Sequence, residues 1–241
     1  DEKQLDFLGA FREQLQLGAS QIKLMAGGGV ASSYDPLDVT QYSVEELKAA
    51  VEAAENWGTY VTVHAYTPRA IQAAIRAGVK CIDHGQLMDE ASAKLMAENG
   101  IWLSIQPFLD NEFANPQANP ANRAKQLEVF AGTDNAYALA KKYKLKTAWG
   151  TDILFDPRQT ATQGAQLATL VRWYTPAEIL RMATRTNAEL LALSSVELRR
   201  RNLMARGEVA PRNALGGTDD SGEYAPVRAY AQRMADWAGC P

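Results

Sequence analysis

Short apolar runs alternate along the chain with longer segments in which apolar residues recur at helical spacing. The short runs are rich in β-branched residues and predict five strands, at residues 20–26, 59–65, 79–85, 101–107 and 145–152. The helical patterns lie at residues 3–17, 43–56, 68–78, 89–100, 123–143, 162–173 and 176–192. Strands that alternate with helices through short connections predict an α/β fold with a parallel sheet and right-handed crossovers.

Capping signals mark several of the predicted helix boundaries. Ser43 and Glu46 form the sequence pattern of a capping box, and Asp89 is placed to open a later helix. Gly78 and Gly100 stand where two of the helices must end, because glycine adopts the conformation that follows a helix C-terminus without strain.

Two architectures fit this order of elements, a doubly wound sheet and a (β/α)8 barrel. A doubly wound sheet is expected to carry a glycine-rich phosphate loop directly after its first strand. The run AGGGVASS at residues 26–33 matches neither the dinucleotide-binding spacing nor the P-loop spacing, and no helix begins directly behind it. We therefore interpret this run as a mobile loop and predict a TIM-barrel type of fold.

Composition excludes several classes of partner. A net charge of −3 and an isoelectric point near 5.5 give no electrostatic footprint for nucleic acid or for an anionic membrane. No apolar run approaches the length of a membrane span. The cysteines, Cys81 and Cys240, are too few for a disulfide framework, and Cys81 is interpreted as a free thiol in the core.

The carboxyl ends of the predicted strands carry polar residues. In barrels the chemistry is built at this edge of the sheet, and the residues found there are Lys23, His64, His84, Gln106 and Asp152. A lone histidine in such a place is more often a hydrogen-bonded structural residue than a metal ligand, and a lone aspartate is often a cap. A lysine within an apolar run is costly unless it is paired or chemically altered. The recurrence of such residues at one edge favours a metal site over unrelated caps.

The runs IKLMAGGG, VTVHAYTP, IDHG and AWGTD resemble the amidohydrolase superfamily of metal-dependent hydrolases, closest to its Xaa-Pro dipeptidase and imidazolonepropionase-like branch. The resemblance extends over about residues 10–193. It implies that Lys23 is carboxylated and bridges two divalent metals, and that His64 and His84 bind one of them. It also implies that Asp152 binds the other metal and accepts a proton from the nucleophilic water.

The resemblance implies an enzyme that cleaves C–N bonds with a metal-activated hydroxide. The expected cofactor is one or two divalent ions. Zinc is the metal expected, because neutral imidazoles are good ligands for Zn²⁺. The expected substrates are small amides, namely dipeptides, N-acyl amino acids or cyclic amides. Tyr66 and Gln106 are candidates for contact with the substrate, although Tyr66 could simply pack and Gln106 could simply end its strand.

The chain departs from the family pattern in two respects. It contains only two histidines and therefore lacks the family's His-x-His pair, and the resemblance places its strands as four to eight of the barrel. Residues 1–193 are thus predicted to form an incomplete barrel, which a missing N-terminal segment, a partner or a second copy would close. Residues 194–241 are predicted to form a divergent tail, for which a solvated or disordered state is favoured over a binding arm.

Two alternative functions follow from these departures. The chain could be an inactive remnant or a partner subunit that only binds metal or protein, and we expect the isolated chain to hydrolyse amides weakly or not at all. It could also be a lyase or isomerase that uses Lys23 as a Schiff base, which requires a desolvated lysine with no metal nearby. The histidines at the neighbouring strand ends disfavour this last reading.

Overall fold

The strands form one parallel sheet in which the order along the chain is also the order in space. The structure, a computed structural model, describes residues 2–153, 157–194 and 197. Its strands are β1 (Ile22–Met25), β2 (Val61–Ala65), β3 (Cys81–His84), β4 (Trp102–Ile105) and β5 (Lys146–Trp149). Within the described residues, β1 pairs only with β2 and β5 only with β4, so the sheet is an open arc. The predicted α/β fold with a parallel sheet is confirmed.

Helices connect successive strands, as the alternating pattern predicted. The α-helices are α1 (Glu2–Gln16), α2 (Val44–Asn56), α3 (Pro68–Arg76), α4 (Glu90–Glu98), α5 (Pro120–Lys142), α6 (Gln163–Thr169), α7 (Pro176–Arg181) and α8 (Asn187–Leu190). Turns of 3₁₀ helix lie at Pro157–Thr162 and Leu170–Arg172, and a π-helical turn lies at Met182–Thr186. The single helix predicted at residues 176–192 is therefore interrupted, at a point that contains the β-branched Thr184 and Thr186.

Helix starts follow the capping signals of the sequence. The Ser43 hydroxyl accepts a hydrogen bond from the backbone N–H of Glu46, and the Glu46 carboxylate accepts one from the backbone N–H of Ser43. Asp89 caps α4 by accepting a hydrogen bond from the backbone N–H of Ser92 at 2.7 Å. Helix α5 begins three residues earlier than predicted because Asn119 accepts a hydrogen bond from the backbone N–H of Ala121.

The two faces of the sheet differ in polarity, because successive side chains of a strand point to opposite faces. One register row contains only apolar residues on its first four strands, Leu24, Val63, Ile82 and Leu103, and these pack in the main core with residues of the helices. The next row along the strands contains Met25, His64, Asp83 and Ser104. The second face is therefore the polar one, and it carries the candidate site.

The loop between β1 and α2, residues 26–43, is packed against the rest of the molecule at its start, in the run for which a mobile loop was predicted. Its glycines at positions 27–29 are buried. The Lys125 ammonium group on α5 donates hydrogen bonds to the backbone carbonyls of Gly29 at 2.7 Å, Asp35 at 3.2 Å and Ser32. The Asp35 carboxylate accepts a hydrogen bond from the backbone N–H of Gly29 at 2.9 Å.

The chain divides into two compact units, residues 1–183 and residues 184–241. The first unit contains the whole sheet, and the described part of the second contains α8. The predicted tail at residues 194–241 lies outside the described residues except for positions 194 and 197, so its boundary stays a prediction. Among the described helices, none is long and apolar enough to cross a membrane.

Candidate functional site

One cavity of about 460 Å³ opens at the carboxyl edge of the sheet. Five of the six predicted site residues line it, namely Lys23, His64, Tyr66, His84 and Asp152. They come from β1, from β2 and its following residue, from β3, and from the segment after β5. Residues up to 129 positions apart are thus brought together by the parallel topology, as the shared position at the strand ends predicted.

His84 reaches the cavity through a local irregularity of the backbone. It follows Asp83 directly, so a regular strand would direct its side chain to the apolar face of the sheet. Instead, its φ angle is 81°, and the next residue, Gly85, has a φ angle of 71°. Asp152 also has a left-handed conformation, with a φ angle of 53°. Such conformations are uncommon for residues other than glycine and concentrate at functional sites.

His64 is held by a backbone carbonyl of the packed loop. Its Nε2 atom lies 2.9 Å from the carbonyl oxygen of Gly28. Since a carbonyl oxygen only accepts hydrogen bonds, Nε2 carries the proton and donates it, and Nδ1 keeps its lone pair. The imidazole contacts Tyr66 and His84 edge to face, with ring centroids 4.7 Å and 4.6 Å away.

His84 is held in the same way by Gln106. Its Nδ1 atom lies 2.7 Å from the amide oxygen of Gln106, whose amide nitrogen donates to the backbone carbonyl of Ser104. Nδ1 of His84 therefore donates, and Nε2 keeps its lone pair. Gln106 is buried and lies behind His84 instead of lining the cavity. This position suits a residue that holds the histidine and does not suit contact with a substrate.

Burial sets the protonation of the groups in the cavity. It lowers the pKa of His64, and together with the neighbouring His64 it lowers the pKa of His84 well below the usual value. Both imidazoles are therefore neutral, which is the form that binds metals. Asp152 is exposed at the rim of the cavity, yet partial removal of its carboxyl group from water raises its pKa to about 6. Burial, together with the nearby Asp152, also raises the pKa of Tyr66.

Lys23 is paired with an acidic residue that the sequence analysis did not single out. Its ammonium group forms an ion pair with the carboxylate of Asp83, which also accepts a hydrogen bond from the Thr62 hydroxyl at 2.9 Å. The Lys23 side chain is 45% exposed, so the expectation of a buried lysine is wrong. It lies on the polar face of an edge strand, where the open arc leaves it accessible. The sequence did contain a signal that could have identified Asp83, namely an acidic residue within the strand run IDHG.

The donor set fits part of a metal site. Each histidine uses one ring nitrogen for a protein partner and keeps a lone pair on the other, which is the arrangement found in metal-binding histidines. In the described part of the chain, however, no three His, Cys, Asp or Glu side chains stand close enough to hold an ion together. The metal-binding roles of Lys23, His64, His84 and Asp152 therefore stay predictions.

Comparison with known proteins gives a consistent picture. The sequence model of the Amidohydrolase family matches residues 4–197. Ochratoxinase from Aspergillus niger is 34% identical over 184 residues, which cover 75% of this chain and 38% of that protein. The chain thus spans well under half the length of this curated relative.

Solved structures show the same likeness in three dimensions. A prolidase complexed with N-methylphosphonate-L-proline superposes with a TM-score of 0.73 and 38% identity, over 78% of this chain and 46% of that chain. A Xaa-Pro dipeptidase with bound methionine in its active site superposes with a TM-score of 0.67 and 29% identity, over 79% of this chain and 48% of that chain. Such neighbours identify the open arc as an incomplete sheet of the barrel type, as predicted.

Proposed function

Since the chain belongs to the amidohydrolase family, we propose that it carries out metal-dependent hydrolysis of amide or peptide bonds in small substrates. The observation that carries this proposal is the convergence of Lys23, His64, His84 and Asp152 on one cavity. Both histidines are neutral there, and each keeps a lone pair for which the described residues supply no partner. The names of the prolidase, dipeptidase and ochratoxinase relatives support a hydrolase.

His64 and His84 would hold a divalent ion, and zinc fits their neutral imidazoles best. Lys23, as a carbamate, and Asp152 are the proposed further ligands. A divalent ion in this place would supply an activated water as the nucleophile. Zinc and the carboxylated lysine both belong to the proposal.

Asp152 is proposed as the group that accepts the proton. Its carboxylate borders the same cavity as the proposed metal ligands, where it can take a proton from the activated water and pass it to the leaving amine. Gln106 and the Gly28 carbonyl keep the two imidazoles in fixed tautomers and orientations. Tyr66 packs against both imidazoles and is proposed to contact the substrate. Dipeptides, N-acyl amino acids and cyclic amides are the proposed substrates.

A second candidate is a subunit or remnant that binds metal or protein without turnover. Two observations favour it: the described residues contain no group of three metal-ligating side chains, and Lys23 is engaged by Asp83. Zinc binding without hydrolysis would distinguish this candidate from an enzyme.

Substitution of Asp152 by asparagine tests the proposed hydrolase. We expect kcat for zinc-dependent hydrolysis of a dipeptide or N-acyl amino acid by the full-length gene product to fall by about 10²- to 10⁴-fold, because the proton acceptor is lost. Asparagine tolerates a left-handed backbone, so near-UV circular dichroism should be unchanged. Asp38→Asn, a change at an exposed aspartate outside the cavity, is the matched control. Near-normal kcat in Asp152→Asn would contradict the assignment.

A further inference from the structure

An apolar wall forms one side of the cavity. It is built from the segment after β4 and from α5, and it consists of Pro107, Phe108, Leu109, Phe113, Ala114, Val129 and Phe130. Val129 is buried, but the three phenylalanines are only half-buried. Their rings therefore keep apolar surface that borders the cavity and that an apolar ligand could cover.

Aromatic rings continue from the histidines along this wall. Phe108 stacks on His84 with ring centroids 6.0 Å apart, and Phe130 lies 6.4 Å beyond Phe108. Tyr66 lies on another side of His84, at 5.1 Å. An amide placed at the two imidazoles would therefore have a substituent against Phe108 and Phe130.

Among the described residues, positive charge is scarce around the wall. In the described part of the cavity lining, Lys23 is the one cationic side chain, and it is already paired with Asp83. Arg123 lies near the Phe130 ring, 5.9 Å from its centroid, but it is bound to Asp110 at 2.6 Å and to Gln126 at 2.7 Å and does not line the cavity. Within the described residues, the surface beside the phenylalanines therefore offers contacts to apolar groups and no cation without an acidic partner.

We infer that the site favours amides that carry an aromatic group, with the ring seated against Phe108, Phe113 and Phe130. This inference rests on the proposed function, because it places the amide at His64 and His84. A cavity of about 460 Å³ falls within the size range of small-molecule sites. Offset and edge-to-face contacts between the ligand ring and the wall rings would stabilise the bound state in addition to burial of apolar area.

Binding of neutral amides in the presence of EDTA tests the inference without any need for metal or turnover. The probes are N-methylacetamide, N-methylbenzamide and acetanilide, titrated against the 241-residue chain by ligand-observed NMR. We expect at least one of the two ring-bearing amides to bind roughly tenfold more tightly than N-methylacetamide. Equal dissociation constants for all three neutral probes would overturn the inference.

Substitutions in the wall test whether its phenylalanines cause the preference for ring-bearing amides. For each variant, the affinity for the tighter-binding of the two ring-bearing amides is divided by the affinity for N-methylacetamide. Phe130→Leu should reduce this ratio by about three- to tenfold, because leucine keeps apolar volume but loses the ring contacts. Phe113→Leu, in the segment before α5, is the second variant and carries the same test if Phe130→Leu does not fold. Phe11→Leu is the matched control, because Phe11 is a half-buried phenylalanine of α1 that does not line the cavity. An unchanged ratio in both wall variants would overturn the inference.

Hydrolysis of the same probes by the full-length gene product with added zinc separates this inference from the proposed function. A ring preference in binding without zinc-dependent hydrolysis would support the aromatic wall and contradict the hydrolase. Hydrolysis of all three probes with equal kcat/KM, together with equal dissociation constants, would support the hydrolase and contradict the wall.

Discussion

His84 and Asp152 both hold left-handed backbone conformations, with φ angles of 81° and 53°. A conformation of this kind costs about 1–3 kcal/mol for a residue other than glycine, so the surrounding contacts must hold it. For His84 these contacts include Gln106 on one side and the rings of His64, Tyr66 and Phe108 on the others. The neighbouring side chains therefore fix the orientation of His84, and substitutions of these neighbours test it.

Gln106→Leu is expected to weaken zinc binding by about 10- to 100-fold, because His84 loses the acceptor that fixes its tautomer and ring orientation. The measurement is a zinc titration against a competing chelator. Gln106→Glu keeps an oxygen acceptor in the same place and should retain most of the affinity, whereas a merely structural role would make both variants behave alike. Equal zinc affinity in wild type and Gln106→Leu would contradict the assignment of Gln106 as a positioning residue.

At the scale of elements, the loop at residues 26–43 links helix α5 to the site. Lys125 on α5 holds the backbone of the loop, and the loop in turn presents the Gly28 carbonyl to His64. The backbone passes very close to itself at this point, because a Cβ atom on Gly28 would lie 1.9 Å from the carbonyl oxygen of Pro36. The start of the loop is thus packed into the site.

Gly28→Ala should destabilise the fold by about 1–3 kcal/mol, the usual cost of forcing extra volume into a packed region. The neighbouring atoms belong to the backbone and cannot move aside cheaply. Gly29→Ala is the matched control, since its new Cβ atom would meet no atom closer than 3.8 Å. Urea denaturation of both variants measures the free energy of unfolding, and equal stability of the two would contradict the close packing at Gly28.

Lys125→Met should also lower the free energy of unfolding, by about 1–3 kcal/mol, because three backbone carbonyls lose a charged hydrogen-bond donor. The Lys125 side chain is only 16% exposed, so water can replace the donor only in part. Lys94→Met is the control, because the Lys94 side chain is 65% exposed and forms only a long ion pair with Glu98. If both variants lost the same stability in urea denaturation, the special role of Lys125 would be excluded.

At the scale of the whole molecule, the five strands form an arc whose first and last members each pair on one side only, within the described residues. Such strand edges present backbone donors and acceptors that can pair with another chain. The polar face of the arc also leaves Lys23 and Met25 exposed. Both features favour association of the arc with further polypeptide.

We therefore expect the isolated 241-residue chain to self-associate, with little or no zinc-dependent turnover of dipeptides and N-acyl amino acids. Sedimentation velocity over a range of protein concentrations measures the association, and the hydrolysis assay uses the same sample. A single monomeric species with robust zinc-dependent turnover would contradict this expectation.

Sequence alone determined most of the elements and the edge of the sheet at which the candidate site residues gather. The helix starts at Ser43 and Asp89 were predictable because a cap and its partner lie within three residues of each other. The convergence of His64 and His84 was predictable because carboxyl ends of parallel strands lie at one edge of a sheet. These inferences depend on short-range spacing and on a topology that the alternation of elements dictates.

Tertiary structure decided which side chain meets which. The pairing of Lys23 with Asp83, the support of His84 by Gln106 and the fastening of the loop by Lys125 join residues 60, 22 and 96 positions apart. No periodicity encodes these contacts, because they depend on the register between strands and on the path of a loop. The left-handed turn at His84 and the phenylalanine wall were also hidden, since strand alternation predicts the opposite face for His84 and an irregular segment has no period. The convergence of the candidate residues was thus predictable from residue types at strand ends, whereas their contacts came from packing between distant segments.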